Sequence, residues 1–229
     1  LLRDKFVNHY LTYTKETKQL INSLSSKPVT IIPHWVNPDI WIKKEKKSLI
    51  KSLNLPDNKF LIGSFQRDTE GSDLKTPKLE KGPDILVEKI KDICSFRKDV
   101  HVVLSGWRRQ YVINELEKNK VSYSYIKLPS QEVINDLYNC LDLYIVSSRC
   151  EGGPQAIFES AFLKIPIIST PAGQYELLHK ECIYLKDQKI TQEKIEKSFH
   201  CVDSNYNVIK DYSLNLMVKK YDDFFGKIV

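Results

Sequence analysis

From residue 59 onward, apolar and polar positions fall into a repeating block pattern. "KFLIGSF" (59–65) is apolar almost throughout, and "GPDILVEKIKDICSF" (82–96) then sets Ile85, Val87, Ile90 and Ile93 near helical spacing. The same succession recurs. "VHVVLSG" precedes "RRQYVINELEKN", "SYSYIKL" precedes "SQEVINDLYNC", "LDLYIVSS" precedes "PQAIFESAFLK", and "IPIIST" precedes "GQYELLHK". "CIYL" reads as a last short strand, followed by helices over 191–200 and 207–225. Upstream, the first 25 residues read as helical, with Phe6, Tyr10, Tyr13, Thr17 and Leu20 near one face. "VTIIP" reads as a short strand, "HWVNPDIW" as a loop and "KKEKKSLIKSLNL" as a charged helix whose lysine run is solvated. Strands that are apolar throughout are buried on both faces. Alternating with helices, they predict an α/β fold with a Rossmann-like, doubly wound parallel sheet. One large domain over about residues 30–205 is the simplest organisation.

Composition narrows the class. With 41% hydrophobic and 28% charged residues in 229, the chain can bury a core. No apolar run reaches the roughly 18 residues of a membrane span. Arg3, Asp4 and Lys5 interrupt the start where a signal peptide would be apolar. The first residue is Leu, as expected of a piece of a longer protein. A net charge of +6 favours anionic small partners and is too weak to indicate nucleic acid. Five cysteines without a CxxC pair argue against a disulfide framework or a zinc site, and they fit a reducing compartment. Cys150 is expected to be buried as a small apolar residue.

Ligands of such a sheet bind beyond the carboxyl ends of the strands. The turns there hold Arg67, Trp107, Arg108, Arg109, Glu151, Gly152, Gly153, Gly173 and Glu176. Gly152 and Gly153 allow a tight turn and close backbone approach, and the helix that starts at Pro154 offers free N–H groups to an anion. A diphosphate suits that end, with Arg67 and Lys81 as countercharges. Glu159 lies in the helix among Ile157, Phe158, Ala161 and Phe162. Taken alone, it is more often a salt-bridge partner. Behind a glycine turn that suits phosphate, a carboxylate needing donors is matched by a ribose diol. No G-x-G-x-x-G follows any strand, which argues against a dinucleotide oxidoreductase.

The run "EGGPQAIFE", a Glu, seven residues and a second Glu, resembles the signature of the group-one (family four) retaining glycosyltransferases, which have a two-Rossmann-domain GT-B architecture. "DLYIVSSRCEGGPQAIFESAFLKIPIISTPAGQYELL", "IIPHWVNPDIW" and "GSFQRDTEGSDLKTPKLEKGPDILVEKI" are similar to neighbouring stretches of that family. The resemblance covers about residues 29–180 and implies the C-terminal, donor-binding half of a GT-B fold. It divides the chain into 1–28, a helical remnant or linker from an N-terminal acceptor domain; 29–205, the nucleotide-sugar-binding domain; and 206–229, a crossover helix.

The resemblance also implies roles. Arg67 and Lys81 would sit on the diphosphate, Glu151 on the donor sugar and Glu159 on the ribose. The loop of Gly152, Gly153, Pro154 and Gln155 would give backbone N–H groups. The stretch at Lys127 and Leu128 would frame the base, with Arg108 adding charge nearby. No metal and no cofactor are expected, the substrate being a UDP- or GDP-linked sugar. The acceptor, a glycan, lipid or protein, is not identified, nor is nucleic acid expected as a partner. The expected location is cytoplasmic, with peripheral contact at an inner membrane face compatible with lipid-linked acceptors of relatives. His34, Trp35, Val36 and Asn37 replace the family's Asn-Gly-Val-Asp, and Gln174 replaces a Gly. "DTEGSDLKTPKLEK" lengthens the stretch between Arg67 and Lys81 and is expected to form a mobile loop, with Lys75 or Lys78 as substitutes for Lys81. Two rival readings keep the fold: a degenerate nucleotide-sugar-binding module or partner subunit, and a GT-B nucleotide-sugar epimerase.

Overall fold

A computed structural model describes residues 2–228. The chain opens with a short strand β1 (Tyr10–Thr12), helix α1 (Lys15–Leu24) and strand β2 (Val29–Ile31). Helix α2 (Lys46–Ser52) leads into β3 (Phe60–Ser64). A hairpin, β4 (Thr69–Glu70) and β5 (Thr76–Pro77), precedes α3 (Pro83–Phe96), β6 (Val100–Ser105) and α4 (Gln110–Lys118). Then come β7 (Ser122–Ile126), α5 (Gln131–Cys140), β8 (Leu143–Val146), α6 (Gln155–Phe162) and β9 (Ile167–Ser169). Helices α7 (Gln192–His200), α8 (Val202–Ile209) and α9 (Leu214–Ile228) close the chain.

The main sheet has the order β7-β6-β3-β8-β9, and all its pairings are parallel. Every residue of β3, β6, β8 and β9 is buried, as the continuous apolar runs predicted. One face packs under α3, α4 and α7 through Ile62, Ile90, Val102, Leu116 and Ile195. The other packs under α2, α5, α6 and α8 through Leu61, Leu137, Val146, Phe158 and Ile209. The chain leaves β3 toward β6 and later returns to the other side of β3 as β8. That reversal opens a crevice between the carboxyl ends of β3 and β8.

Several local expectations change. Residues 10–12 form a strand instead of helix, because Tyr10, Leu11 and Thr12 pair in parallel with Val29, Thr30 and Ile31. The helix begins only after Thr14, whose side chain accepts from the Thr17 N–H at 3.1 Å. The helix expected over 207–225 breaks at Tyr212–Ser213. There Val36 donates to Tyr212 O at 3.0 Å and accepts from Leu214 N at 2.8 Å, drawing the backbone into a parallel bridge. "CIYL" contributes one isolated bridge, Ser169 to Ile183, and "GQYELLHK" holds a 3-10 turn at Tyr175–Leu177. The insertion expected to be a mobile loop carries the β4–β5 hairpin. Of the lysine run, Lys44 and Lys46 are tied to Asp136 and Asp142 at 2.6 and 2.5 Å. Cys150 is exposed: Arg149 and Cys150 donate their N–H groups to Glu80 O, which fixes the backbone and leaves the thiol outside.

Candidate functional site

A cavity of about 350 Å³ occupies the crevice at the β3/β8 reversal. Its walls come from the end of β3 (Phe65, Gln66), from β8 (Tyr144, Val146), from the loop and first turns of α6 (Glu151, Gly153 to Ala156, Glu159) and from α5. Lys81 reaches it from the segment before α3. The next residue, Gly82, has φ of +59°, and a Cβ there would lie 1.9 Å from the Ser147 carbonyl oxygen. Only glycine lets the chain pass so close to the end of β8. That passage sets Lys81 Nζ 2.5 Å from Glu151 Oε1, in an ion pair whose side chains are 27% and 12% exposed. Gly153 is confined as well: a Cβ would meet Gln174 Oε1 and His34 Cδ2, each at 2.5 Å. Helix α6 therefore starts with backbone, not side chain, at the cavity wall. Ile157 N donates to Pro154 O at 3.0 Å, whereas the Gln155 and Ala156 N–H groups lack intrahelical acceptors and carry the positive end of the helix dipole.

Gln66 knits these loops together. Its Nε2 donates to Lys81 O at 2.7 Å and to Ser147 Oγ at 3.2 Å. Ser148 Oγ lies 2.8 Å from Glu151 Oε1 and 3.3 Å from Gln66 Oε1. The backbone of Gln66 is held in turn by Arg109, which donates to the Gln66 carbonyl and to Ser64 Oγ. Arg109 forms a fully buried ion pair with Asp68 at 2.7 Å. Asp68 also accepts from Thr69 Oγ1, which itself accepts from Tyr111 N at the start of α4. A buried guanidinium thus clasps the loops after β3 and β6. Such a buried pair fixes geometry more than it adds stability.

The inner end of the cavity is aromatic. Tyr138 stacks edgewise on Phe65 (4.8 Å) and Trp41 (5.7 Å), and lies 5.2 Å from Tyr144. Against this cluster sits Glu159, accepting from Tyr138 Oη at 2.7 Å. Burial pushes the Glu159 carboxyl up to about 7, and the Tyr138 hydrogen bond pulls it back only in part. Burial also pushes the Tyr138 hydroxyl well above its usual range, so it stays a donor. Glu159 has a second oxygen for which no donor is recorded among the described residues, on a cavity wall.

Of the residues expected at the site, the cavity gathers Lys81, Glu151, Gly153, Pro154, Gln155 and Glu159. Gly152 is exposed and lies outside the lining. Arg67 is turned away: its Nε donates to Thr69 O at 3.0 Å, and its guanidinium lies 5.1 Å from the Trp107 ring. Arg108 packs on the same ring and donates to Gly71 O at 2.6 Å, on the hairpin. Lys127 and Leu128 follow the edge strand β7 and do not reach the lining either. Lys75 and Lys78 lie on the hairpin side, Lys78 paired with Glu80 at 2.9 Å. Gln66, Trp41, Tyr138 and Tyr144 are among the lining residues that the sequence did not reveal. Gln66 stood beside the noted Arg67. Among the described residues, no group of three or more His, Cys, Asp or Glu is arranged to hold a metal ion. No helix among them is long and apolar enough to cross a membrane.

Comparison with known proteins agrees with this architecture. The structure is similar to sucrose-phosphate synthase of Thermosynechococcus elongatus at 12% identity and TM-score 0.78, covering 96% of this chain and 58% of that one. A glycosyltransferase of Rickettsia africae matches at 20% identity and TM-score 0.79, covering 99% and 67%. Anabaena HepE, solved in complex with UDP-glucose, matches at 16% identity and TM-score 0.76, covering 99% and 65%. The chain thus spans roughly two thirds or less of the length of these structures. These likenesses establish a Rossmann-like domain of the GT-B kind. No curated protein matches the sequence. A sequence model of the glycosyl transferases of group 1 matches residues 73–198, more than half of the chain and including both Glu151 and Glu159. The chain belongs to the group 1 glycosyl transferases.

Proposed function

We propose that this chain is the donor-binding half of a retaining glycosyltransferase that takes a hexose from a uridine-diphosphate sugar without a bound metal. One observation carries the reading. A single cavity at the sheet reversal joins a lysine–glutamate pair, a helix start and a half-buried carboxylate against an aromatic floor. Glu159 accepts the ribose hydroxyls, which supply the donors its second oxygen lacks. The α6 start and Lys81 take the diphosphate, with Lys81 exchanging Glu151 for phosphate when the donor arrives. Glu151 faces the sugar. When the bond between the anomeric carbon and the phosphate oxygen breaks, the negative charge left on the diphosphate falls to fixed N–H dipoles and Lys81, an electrostatic role. Uridine is favoured over guanosine because the structurally similar HepE was solved with UDP-glucose. Retention is what the resemblance of the Glu151–Glu159 run to the signature of the retaining family implies. The acceptor is left to the remainder of the protein.

Calorimetric titration with UDP, GDP and ADP tests the reading. UDP is expected to bind best, with unchanged affinity in the presence of a chelator and a loss of at least about tenfold in Glu159→Ala. Equal affinity for all three, or binding indifferent to Glu159, would refute it. The outward turn of Arg67 favours a second reading, a non-catalytic nucleotide-sugar module. Sugar transfer by the full protein that survives Glu151→Ala together with Glu159→Ala would establish it.

A further inference from the structure

We propose that Gln66 reads a hydroxyl of the transferred sugar and so sets which end of the donor lies beside Glu151. The inference rests on the donor-site reading above and assigns a side chain that the Glu-x7-Glu signature does not include. The amide orientation follows from its partners. The Lys81 carbonyl, 2.7 Å away, can only accept, so the nitrogen must face it. Oε1 therefore faces Ser148, whose hydroxyl has a single proton. That proton goes to the Glu151 carboxylate at 2.8 Å in preference to the amide oxygen at 3.3 Å. Gln66 Oε1, whose one recorded partner among the described residues is the long 3.3 Å contact to Ser148, is left with unused acceptor capacity in a residue that lines the cavity. Nor can the residue easily turn aside, since its carbonyl is held by buried Arg109 and its Nε2 by two partners. Ionised phosphate oxygens only accept, so a diphosphate against this oxygen would face it with no proton between them. A sugar hydroxyl can donate. The chemistry of this corner therefore rejects phosphate and selects a polyol.

The test compares UDP with UDP-glucose by calorimetry in wild type, Gln66→Ala and Gln66→Glu. The readout is the ratio of the two affinities, which cancels any loop disturbance that both ligands feel. Gln66→Ala is expected to lower the ratio about tenfold, the loss of one hydrogen bond to a buried hydroxyl. Gln66→Glu keeps an acceptor at the same reach, and its added charge repels the terminal phosphate of UDP more than the diester of UDP-glucose, so its ratio is expected to be no lower than that of wild type even if both affinities fall. An unchanged ratio in Gln66→Ala, or an equal fall in both variants, overturns the assignment and leaves Gln66 a loop brace. Failure of wild type to bind UDP at all is a different result. It defeats the donor-site reading and this assignment with it.

Discussion

Glu159 is held in a state that suits a ligand better than it suits the empty fold. Its carboxyl is raised from an ordinary 4.5 to about 7 by burial. An acid with a raised folded value loses stability as pH climbs from the unfolded value through the folded one. The cost is absent near pH 4.5 and complete above pH 7, where it amounts to at most about 3 kcal/mol. Glu159→Gln keeps the Tyr138 hydrogen bond without the charge. It is therefore expected to be more stable than wild type at pH 8 by about 1–3 kcal/mol and equal near pH 4.5, by urea unfolding at the two pH values. A variant less stable than wild type at pH 8 would make Glu159 a structural residue. The same titration couples to binding. Only the ionised carboxylate accepts both ribose hydroxyls, so UDP-glucose, whose phosphate groups stay ionised throughout, should bind about tenfold more tightly at pH 8 than at pH 6. A flat profile from calorimetry would contradict the role. The place of Glu159 on the cavity wall was legible in the sequence because a carboxylate in an apolar helix behind a glycine turn stands where the crevice of such a sheet opens. Gln66 was not, since its meaning depends on Lys81 and Ser147, 15 and 81 residues away. Arg67 was legible as a charge at the right turn, but its direction is decided by Thr69 and Trp107.

At the scale of elements, the site depends on how closely two loops approach. The segment before α3 can meet the end of β8 only through Gly82. Gly82→Ala must leave the left-handed region or push Ser147 away, at a cost of at least about 2 kcal/mol. UDP affinity should fall with it, because Lys81 precedes Gly82; an Ala variant of wild-type stability and affinity would show that the approach is not required. The long buried strands and their helices were legible because their apolar periodicity is strong and local. β1 was not, because Tyr10 and Leu11 suit a helix face or a strand equally, and pairing with Val29 and Thr30 decides between them. The break at Ser213 was hidden for the same reason: the competitor for its neighbours' backbone groups is Val36, 177 positions upstream.

In the whole molecule, the sheet order explains why residues scattered from 41 to 159 share one cavity. β3 is the first strand of the main sheet and lies at its centre, so the loops that follow β3 and β8 meet although about 80 residues separate them. The block pattern of the sequence indicated such a sheet, and hence a crevice at some strand ends. It could not say that β7, with Lys127 and Leu128 after it, would lie at the edge, two strands from β3. The cavity is proposed to hold a nucleotide-diphosphate sugar in one orientation. A crystal structure with UDP-glucose bound decides whether it does. The ribose is expected on Glu159, the diphosphate at the start of α6 with Lys81 released from Glu151, and the glucose beside Glu151 with a hydroxyl on Gln66 Oε1. A nucleotide bound elsewhere, or bound here with its diphosphate against Gln66 and Lys81 still paired to Glu151, would contradict it.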